Sequence, residues 1–67
     1  MNYLESERVR RGWSKSRMAR ELGLNQTTII EATTGRRRLG PEQLVTAAAG
    51  LGWAGDPAEL MEEVEPL

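Results

Sequence analysis

The chain has 67 residues with neither cysteine nor histidine, which limits it to one small domain and excludes disulfide bridges, thiolate metal sites and histidine catalysis. All nine basic residues lie between Arg8 and Arg38. Residues 1–38 also hold four acids and so carry a charge of about +5, while residues 39–67 hold six acids and no base and carry about −6. The net charge is only −1, but this asymmetry indicates that the basic part binds a polyanion and that the acidic part is kept away from it.

No apolar run approaches the length of a membrane-spanning helix, and no signal peptide precedes the predicted domain. We therefore expect a cytoplasmic protein with no membrane partner. The acids gather near the C-terminal end, without histidine, cysteine or a metal-binding motif beside them. Because catalysis would need carboxylates held in a cleft, we expect no enzymatic activity, no cofactor and no metal.

Cap residues and apolar spacing predict an all-α fold, a compact bundle of about five short helices with no strand. The first helix follows Asn2, a capping residue with Glu5 three positions later, and ends at Gly12. Leu4 and Val9 are its expected inward positions.

A short turn separates the second and third helices. Ser14 is the expected cap of the second helix, which runs over about residues 15–22. Its inward face comprises three residues, Met18, Ala19 and Leu22. Asn25 caps a third helix that runs to about Thr34 and is terminated by Gly35.

Proline and glycine mark the remaining helices. Pro41 suits the first turn of a fourth helix, which Gly52 closes. Its expected buried stripe comprises Leu44, Val45, Ala48 and Leu51. Asp56 caps a short fifth helix at about 57–64, with an apolar side formed by Leu60, Met61 and Val64. Trp53 follows a glycine at a helix junction, as Trp13 does, which favours packing on the core over stacking against unpaired bases.

Four residues of the second and third helices and their turn predict a pair of helices that cross at close range. Ala19 is small enough for two helix backbones to meet, and Gly23 tolerates the left-handed backbone of a sharp turn. Leu24 and Ile29 fill the angle between the helices. This arrangement lets one helix lie across a DNA backbone while the next enters the major groove.

The stretch resembles the helix-turn-helix of the lambda repressor and Cro family. The resemblance runs without gaps from about Leu4 to Gly35 and, with small changes of length, to Gly52, which is about three quarters of the chain. It implies one lambda-repressor-like domain over residues 1–67, with the helix-turn-helix at about 15–34. The implied function is sequence-specific binding of double-stranded DNA by a small Cro-like repressor. The open alternative is an antirepressor or antitoxin, a helix-turn-helix module whose main target is a partner protein.

The start of the third helix supplies the candidate base contacts. Gln26 can bond the N6 and N7 edge of adenine, and the family commonly has a glutamine at this place. Thr27 is expected to reach a base or a thymine methyl, as is Ile30 unless it is partly buried. Glu31 either accepts from cytosine N4 or pairs with a neighbouring arginine.

Candidate phosphate contacts lie on both sides of that helix, where they supply affinity rather than sequence choice. The second helix begins with free N–H groups that face an anion, and the arginine loop follows the third helix where the family grips the backbone. The expected phosphate contacts are Ser14, Lys15, Arg17, Asn25, Thr28, Arg36, Arg37 and Arg38, with Thr28 alternatively serving the local cap.

The chain departs from the family at two packing positions. Thr33 stands where the family has the glutamate partner of Arg8, so Arg8 must pair with another acid or reach a phosphate. Ala32 replaces a larger aliphatic residue, and we expect Trp13 to fill the space.

A single helix-turn-helix reads about one half-site, so we expect a homodimer on a near-palindromic operator, assembled mainly on the DNA. In the family the dimer contact uses the chain after the fourth helix. Here that segment offers Trp53, Leu60, Met61, Val64 and Leu67. The alternative is that the fifth helix only completes the core of the monomer.

Overall fold

The computed structural model describes residues 1–65, which contain four α-helices, one short 3-10 helix and no strand. The elements are α1 (Tyr3–Arg11), α2 (Lys15–Leu22), α3 (Gln26–Thr33), α4 (Pro41–Leu51) and the 3-10 helix (Pro57–Met61). The predicted all-α fold is therefore confirmed. Within the described residues, no helix is long and apolar enough to cross a membrane.

Side-chain caps fix where the first three helices begin. Asn2 Oδ1 accepts from the Glu5 N–H at 2.9 Å, Ser14 Oγ from the Arg17 N–H at 3.0 Å, and Asn25 Oδ1 from the Thr27 N–H at 2.8 Å. These bonds satisfy N–H groups that have no partner inside a helix. The three capping residues predicted from the sequence are thus confirmed.

The segment after α4 differs from the predicted fifth α-helix over residues 57–64. Asp56 caps it and Pro57 occupies its first turn, as expected, but the helix is of the 3-10 type and ends at Met61. Glu62 has an extended backbone, and its carbonyl accepts a hydrogen bond from the Tyr3 N–H at 3.1 Å. The Val64 N–H donates to the Met1 carbonyl at 2.9 Å. Pairing with the N-terminal segment therefore replaces further helix.

The core is made from every helix and from the segment before α4. α2 packs on α3 and α4, and α1 packs on α3 and the 3-10 helix. The buried apolar residues are Leu4, Met18, Ala19, Leu22, Ile29, Ala32, Leu39, Ala47, Ala48, Leu51, Leu60 and Met61. Burial of such side chains is the main favourable contribution to folding in a domain this small.

Two valines expected in the core are exposed, and helix geometry explains both. Val9 is 53 % exposed and Val45 is 60 % exposed. Val9 lies five residues after the buried Leu4, which turns it by about 140° around the helix axis. The buried stripe of α4 includes Ala47 and Ala48, and Val45 lies about 110° from its centre. The sequence prediction for these two positions is therefore wrong.

The close approach of α2 and α4 rests on Gly50, which lies within the last turn of α4. A Cβ atom at this position would lie 2.6 Å from Cδ2 of Leu22 and 3.7 Å from its Cα. Leu22 is buried at 3 % exposure, so it cannot turn away without leaving the core. Leu22 therefore occupies the space that a side chain at position 50 would need.

We predict that Gly50→Ala lowers the free energy of unfolding by about 1–3 kcal/mol through overpacking against Leu22. In an open helix the same change would raise stability by about 1 kcal/mol, so the sign of the effect is diagnostic. Urea unfolding followed by circular dichroism measures it. The control is Ala49→Gly at the exposed neighbouring position, which reports helix propensity alone with a loss of about 1 kcal/mol. A stabilised Gly50→Ala variant would contradict the packing described.

Candidate nucleic-acid interface

A three-residue turn holds α3 against α2. Gly23 has a φ of +68°, a backbone conformation that glycine adopts at little cost, and it ends α2. The Leu24 N–H donates to the carbonyl of Ala19 at 2.9 Å, and Asn25 then caps α3. Ala19 is 5 % exposed and Ile29 is fully buried. The first turn of α3 is therefore fixed relative to α2 by both backbone bonds and packing.

Three of the four predicted base-contact residues share an exposed face of α3. Gln26 and Thr27 are exposed in the first turn, and Ile30, one turn further on, is 38 % exposed. Their spacing places them side by side on a helix surface. Ile30 therefore faces outward as the sequence predicts. Glu31 is half-buried at the edge of the same face.

Thr28 does not belong to the exposed set. It is 6 % exposed and lies among the buried residues of α3 with Ile29, Ala32 and Thr33. The prediction that Thr28 contacts a phosphate is corrected on this ground, because its side chain is turned toward the protein. Asn25 remains exposed, although its side-chain oxygen is engaged in the helix cap.

The loop that follows α3 presents three adjacent guanidinium groups. Arg36, Arg37 and Arg38 are all exposed, and Leu39 after them is buried at 4 %. The N–H groups of Arg36 and Arg37 donate to the Glu31 carbonyl at 2.9 and 3.3 Å, which ties the loop to the end of α3. The arginines are therefore carried on backbone anchored at both ends.

Glu31 also forms an ion pair with this loop. Its carboxylate lies 3.6 Å from a guanidinium nitrogen of Arg37. Of the two roles predicted for Glu31, the structure shows the pair with a neighbouring arginine. Both side chains are partly exposed, so the pair is weak and can be exchanged for another partner.

The start of α2 carries a second group of cations. Ser14 is exposed and caps the helix, Lys15 is half-buried and Arg17 is exposed. The guanidinium of Arg17 lies 5.7 Å from the ring centroid of Trp13, and that of Arg11 lies 5.1 Å from it. Cations at these distances are attracted by the aromatic face. Trp13 therefore positions Arg17 beside the first turn of α2.

Sequence reasoning missed this role of Trp13 because it considered the ring only as core filling or as a stacking platform. The available signal was the arginine two residues before the tryptophan and the other four residues after it. Trp13 is half-buried and packs against the core cluster that includes Ala32. The Asn2 side-chain amide donates to the Ala32 carbonyl at 2.8 Å, and Asn2 itself is buried.

Arg8 pairs with an acid of its own helix. Its guanidinium donates to both oxygens of Glu5 at 2.6 and 2.9 Å, and a further N–H reaches the Trp13 carbonyl at 2.7 Å. The hydrogen bond from Arg8 is the main cause that lowers the pKa of Glu5, with burial acting in the opposite direction. Arg8 thus joins α1 to the turn before α2 and is not presented for a phosphate.

Two of the predicted dimer residues are part of the chain's own core. Leu60 is fully buried and Met61 is 8 % exposed, so neither offers a surface to a second copy, and that part of the prediction is corrected. Trp53 and Val64 are half-buried. The Trp53 ring packs against Tyr3 with a centroid distance of 5.7 Å. Leu67 lies outside the described residues.

The site combines hydrogen-bonding side chains on α3 with cations in the first turn of α2 and in the loop that follows α3. Within residues 1–65, no group of three or more acidic side chains is arranged to hold a metal ion. Comparison with known proteins adds no family, because no family model, no curated protein and no solved structure matches the chain. Any function must therefore be argued from the side chains themselves.

We predict that Trp13→Ala lowers the free energy of unfolding by about 2–4 kcal/mol, near the lower part of the range for tryptophan truncation because the ring is half-buried. Trp13→Phe keeps an aromatic face for the two arginines and is expected to recover most of the loss. Thermal unfolding of both variants tests this. A Trp13→Ala protein that melts with the native one would show that the ring packs on nothing of consequence.

We predict that Glu5→Gln destabilises the protein at pH 7 and that the difference disappears in acid. The pKa of Glu5 in the folded protein lies below its ordinary value of 4.5, so its contribution is fully present above that value and is lost as the pH falls through the lower folded pKa. Urea unfolding from pH 7 down to acid measures the difference. The control is Glu21→Gln on the exposed side of α2, where a constant small effect is expected. A Glu5→Gln deficit that persists in acid would contradict the assignment.

Proposed function

We propose that the protein is a sequence-specific, double-stranded-DNA-binding transcriptional repressor in which α2 and α3 act as a helix-turn-helix. One observation carries this proposal. The exposed face of α3 that holds Gln26, Thr27 and Ile30 belongs to a helix packed on α2, whose first turn carries Arg17, and the anchored arginine loop follows that helix directly. Such an arrangement suits a helix that enters the major groove between two phosphate backbones.

Base reading is assigned to the first turns of α3. Gln26 bonds the N6 and N7 edge of adenine, which its amide matches in both donor and acceptor. Thr27 and Ile30 contact neighbouring bases, with the Ile30 side chain suited to a thymine methyl. Glu31 is released to accept from cytosine N4 only when Arg37 moves to a phosphate, which couples one base choice to one backbone contact.

Phosphate binding is assigned to cations that are already positioned in the protein. Arg36, Arg37 and Arg38 grip one strand, and Lys15 and Arg17 meet the other with the Ser14 cap and the N–H groups at the start of α2. Their contacts release counterions and make affinity depend on salt, without choosing a sequence. In this proposal the acidic segment after Arg38 faces away from the DNA, because its carboxylates would be repelled by the phosphates.

Two copies on a near-palindromic operator complete the proposed repressor. Half-sites about 34 Å apart match one turn of DNA, and a bound pair blocks polymerase without any further domain. Since Leu60 and Met61 are buried, Trp53 and Val64 are the described residues of the predicted contact that retain exposed surface. Assembly on the DNA rather than in solution follows from so small an apolar contact. The proposed site of action is the cytoplasm, on the nucleoid.

We predict that selection from a library of randomised duplexes enriches one sequence that binds at least about a thousandfold tighter than unrelated DNA at physiological salt. Fluorescence anisotropy then separates the two classes of contact. Gln26→Ala loses preference for the selected sequence, whereas Arg36→Ala/Arg37→Ala/Arg38→Ala weakens binding to every duplex and reduces the slope of log K against log salt by about 3.

The matched control is Arg10→Ala, which removes an exposed cation on α1 that is paired with Glu7 at 2.7 Å. It should leave both affinity and salt slope unchanged. Enrichment of no sequence, with equally weak binding to all duplexes, would refute the repressor proposal and favour the antirepressor or antitoxin alternative, in which a partner protein is the main target.

A further inference from the structure

An apolar groove lies between α4 and the 3-10 helix, on elements that contribute nothing to the candidate DNA surface. Its volume is about 250 Å³. We call it the α4 groove; its lining residues are Pro41, Leu44, Val45, Asp56, Pro57 and Ala58. Five of these six residues have no polar side chain, so the groove offers water few side-chain hydrogen bonds.

The exposed side of α4 extends the groove along the helix. Pro41, Val45 and Ala49 follow one another at intervals of four residues and are all exposed, which makes them one continuous stripe. Val45, at 60 % exposure, is the most exposed large apolar side chain in any α-helix of the described chain. A stripe and groove of this form match the way in which an amphipathic helix lays its apolar face into a partner.

The two helices that form the groove contain acidic residues and no basic one. Asp56 lines it, Glu42 neighbours Pro41 in the first turn of α4, and Glu59 lies in the 3-10 helix. No basic residue occurs after Arg38 to neutralise them. The Glu59 carboxylate accepts from the Asp56 N–H at 2.6 Å, which holds two of the acids side by side. Acidic edges around an apolar floor select an occupant with basic edges around an apolar face.

A second copy of the chain is the less favourable occupant. A two-fold contact is made by the same patch on both copies, so it would bring the acidic residues of both grooves into one interface. Like charges brought together in this way oppose association. The apolar floor attracts any helix with an apolar face, but the charge discriminates against this chain's own α4.

We propose that the α4 groove binds an amphipathic helix of a partner protein, with aliphatic side chains on one face and lysine or arginine at the edges of that face. Val45 and Leu44 contact the aliphatic side chains, and Glu42 and Asp56 attract the flanking cations. The partner occupies a surface separate from α3, so its binding does not require release of DNA.

The test uses two fluorescein-labelled peptides in anisotropy titrations of the full chain without DNA. One is a designed helix with leucine along one face and lysine at its edges; the other has the same leucines and glutamate in place of every lysine. The lysine peptide is expected to bind saturably, at least about tenfold tighter than the glutamate peptide. Equal binding of the two peptides, or binding of neither, overturns the proposal.

Variants locate the peptide. Val45→Lys is expected to lower the affinity for the lysine peptide by about tenfold or more. Val9→Lys, a matched change at the 53 % exposed valine of α1, is expected to change that affinity by less than about twofold. Asp56→Asn removes a charge but keeps an oxygen for the cap bond to the Ala58 N–H, so it is expected to reduce affinity without loss of fold. Equal loss in the two valine variants would overturn the location.

Sedimentation velocity of the native chain and of Val45→Lys, without peptide, tests whether a second copy of the chain occupies the groove. The expected result is a monomer in both cases over the concentrations used for the titrations. A native dimer that Val45→Lys dissociates would show that the groove is covered by a second copy and would overturn the proposed partner. Circular dichroism spectra of each variant confirm that the fold is retained.

Discussion

The position of α2 is set by two close approaches, each of which requires a small residue. Ala19 is buried where α2 meets α3, and Gly50 leaves the space that Leu22 fills where α2 meets α4. Because the Leu24 N–H bonds the Ala19 carbonyl, the turn into α3 moves with α2. The exposed face of α3 and the cations at the start of α2 therefore keep a fixed relation only while both small residues are present.

The charge asymmetry of the sequence becomes sharper in three dimensions. On α1, Arg8 is paired with Glu5, and Arg10 and Arg11 share Glu7, so two carboxylates offset most of the charge of three of the nine basic residues. Arg11 also donates to a carbonyl at the end of α4 at 2.7 Å. The other six basic residues lie on α2 and in the loop after α3. Pairing on α1 concentrates the field where the candidate bases would lie, rather than adding a third region of non-specific attraction.

Local rules predicted the helix boundaries well because caps and glycines act within a few residues. Asn2, Ser14 and Asn25 all cap as expected. Burial of individual side chains was harder to predict, because the apolar character of Val9 and Val45 does not reveal which face of a helix is covered. Leu60 and Met61 were equally suited to a core or to an interface, and only the path of residues 62–64 along the N-terminal segment decides it. The contacts of Trp13 with Arg11 and Arg17 join residues two and four positions apart, so their spacing was visible in the sequence although their geometry was not.

The apolar residues of the 3-10 helix belong to the core of this small domain. Leu60 and Met61 complete that core, so within residues 1–65 the exposed apolar surface comprises the side of α4 that holds Val45 and separate side chains such as Met1, Val9 and Ile30. The two proposed binding surfaces therefore lie on different pairs of elements, α2 with α3 and α4 with the 3-10 helix. Since α2 packs directly on α4, any energetic coupling between them has its shortest path through the contact of Leu22 with Gly50. The packing of α2 on α4 thus connects the helix that holds α3 in place to the helix that carries the groove.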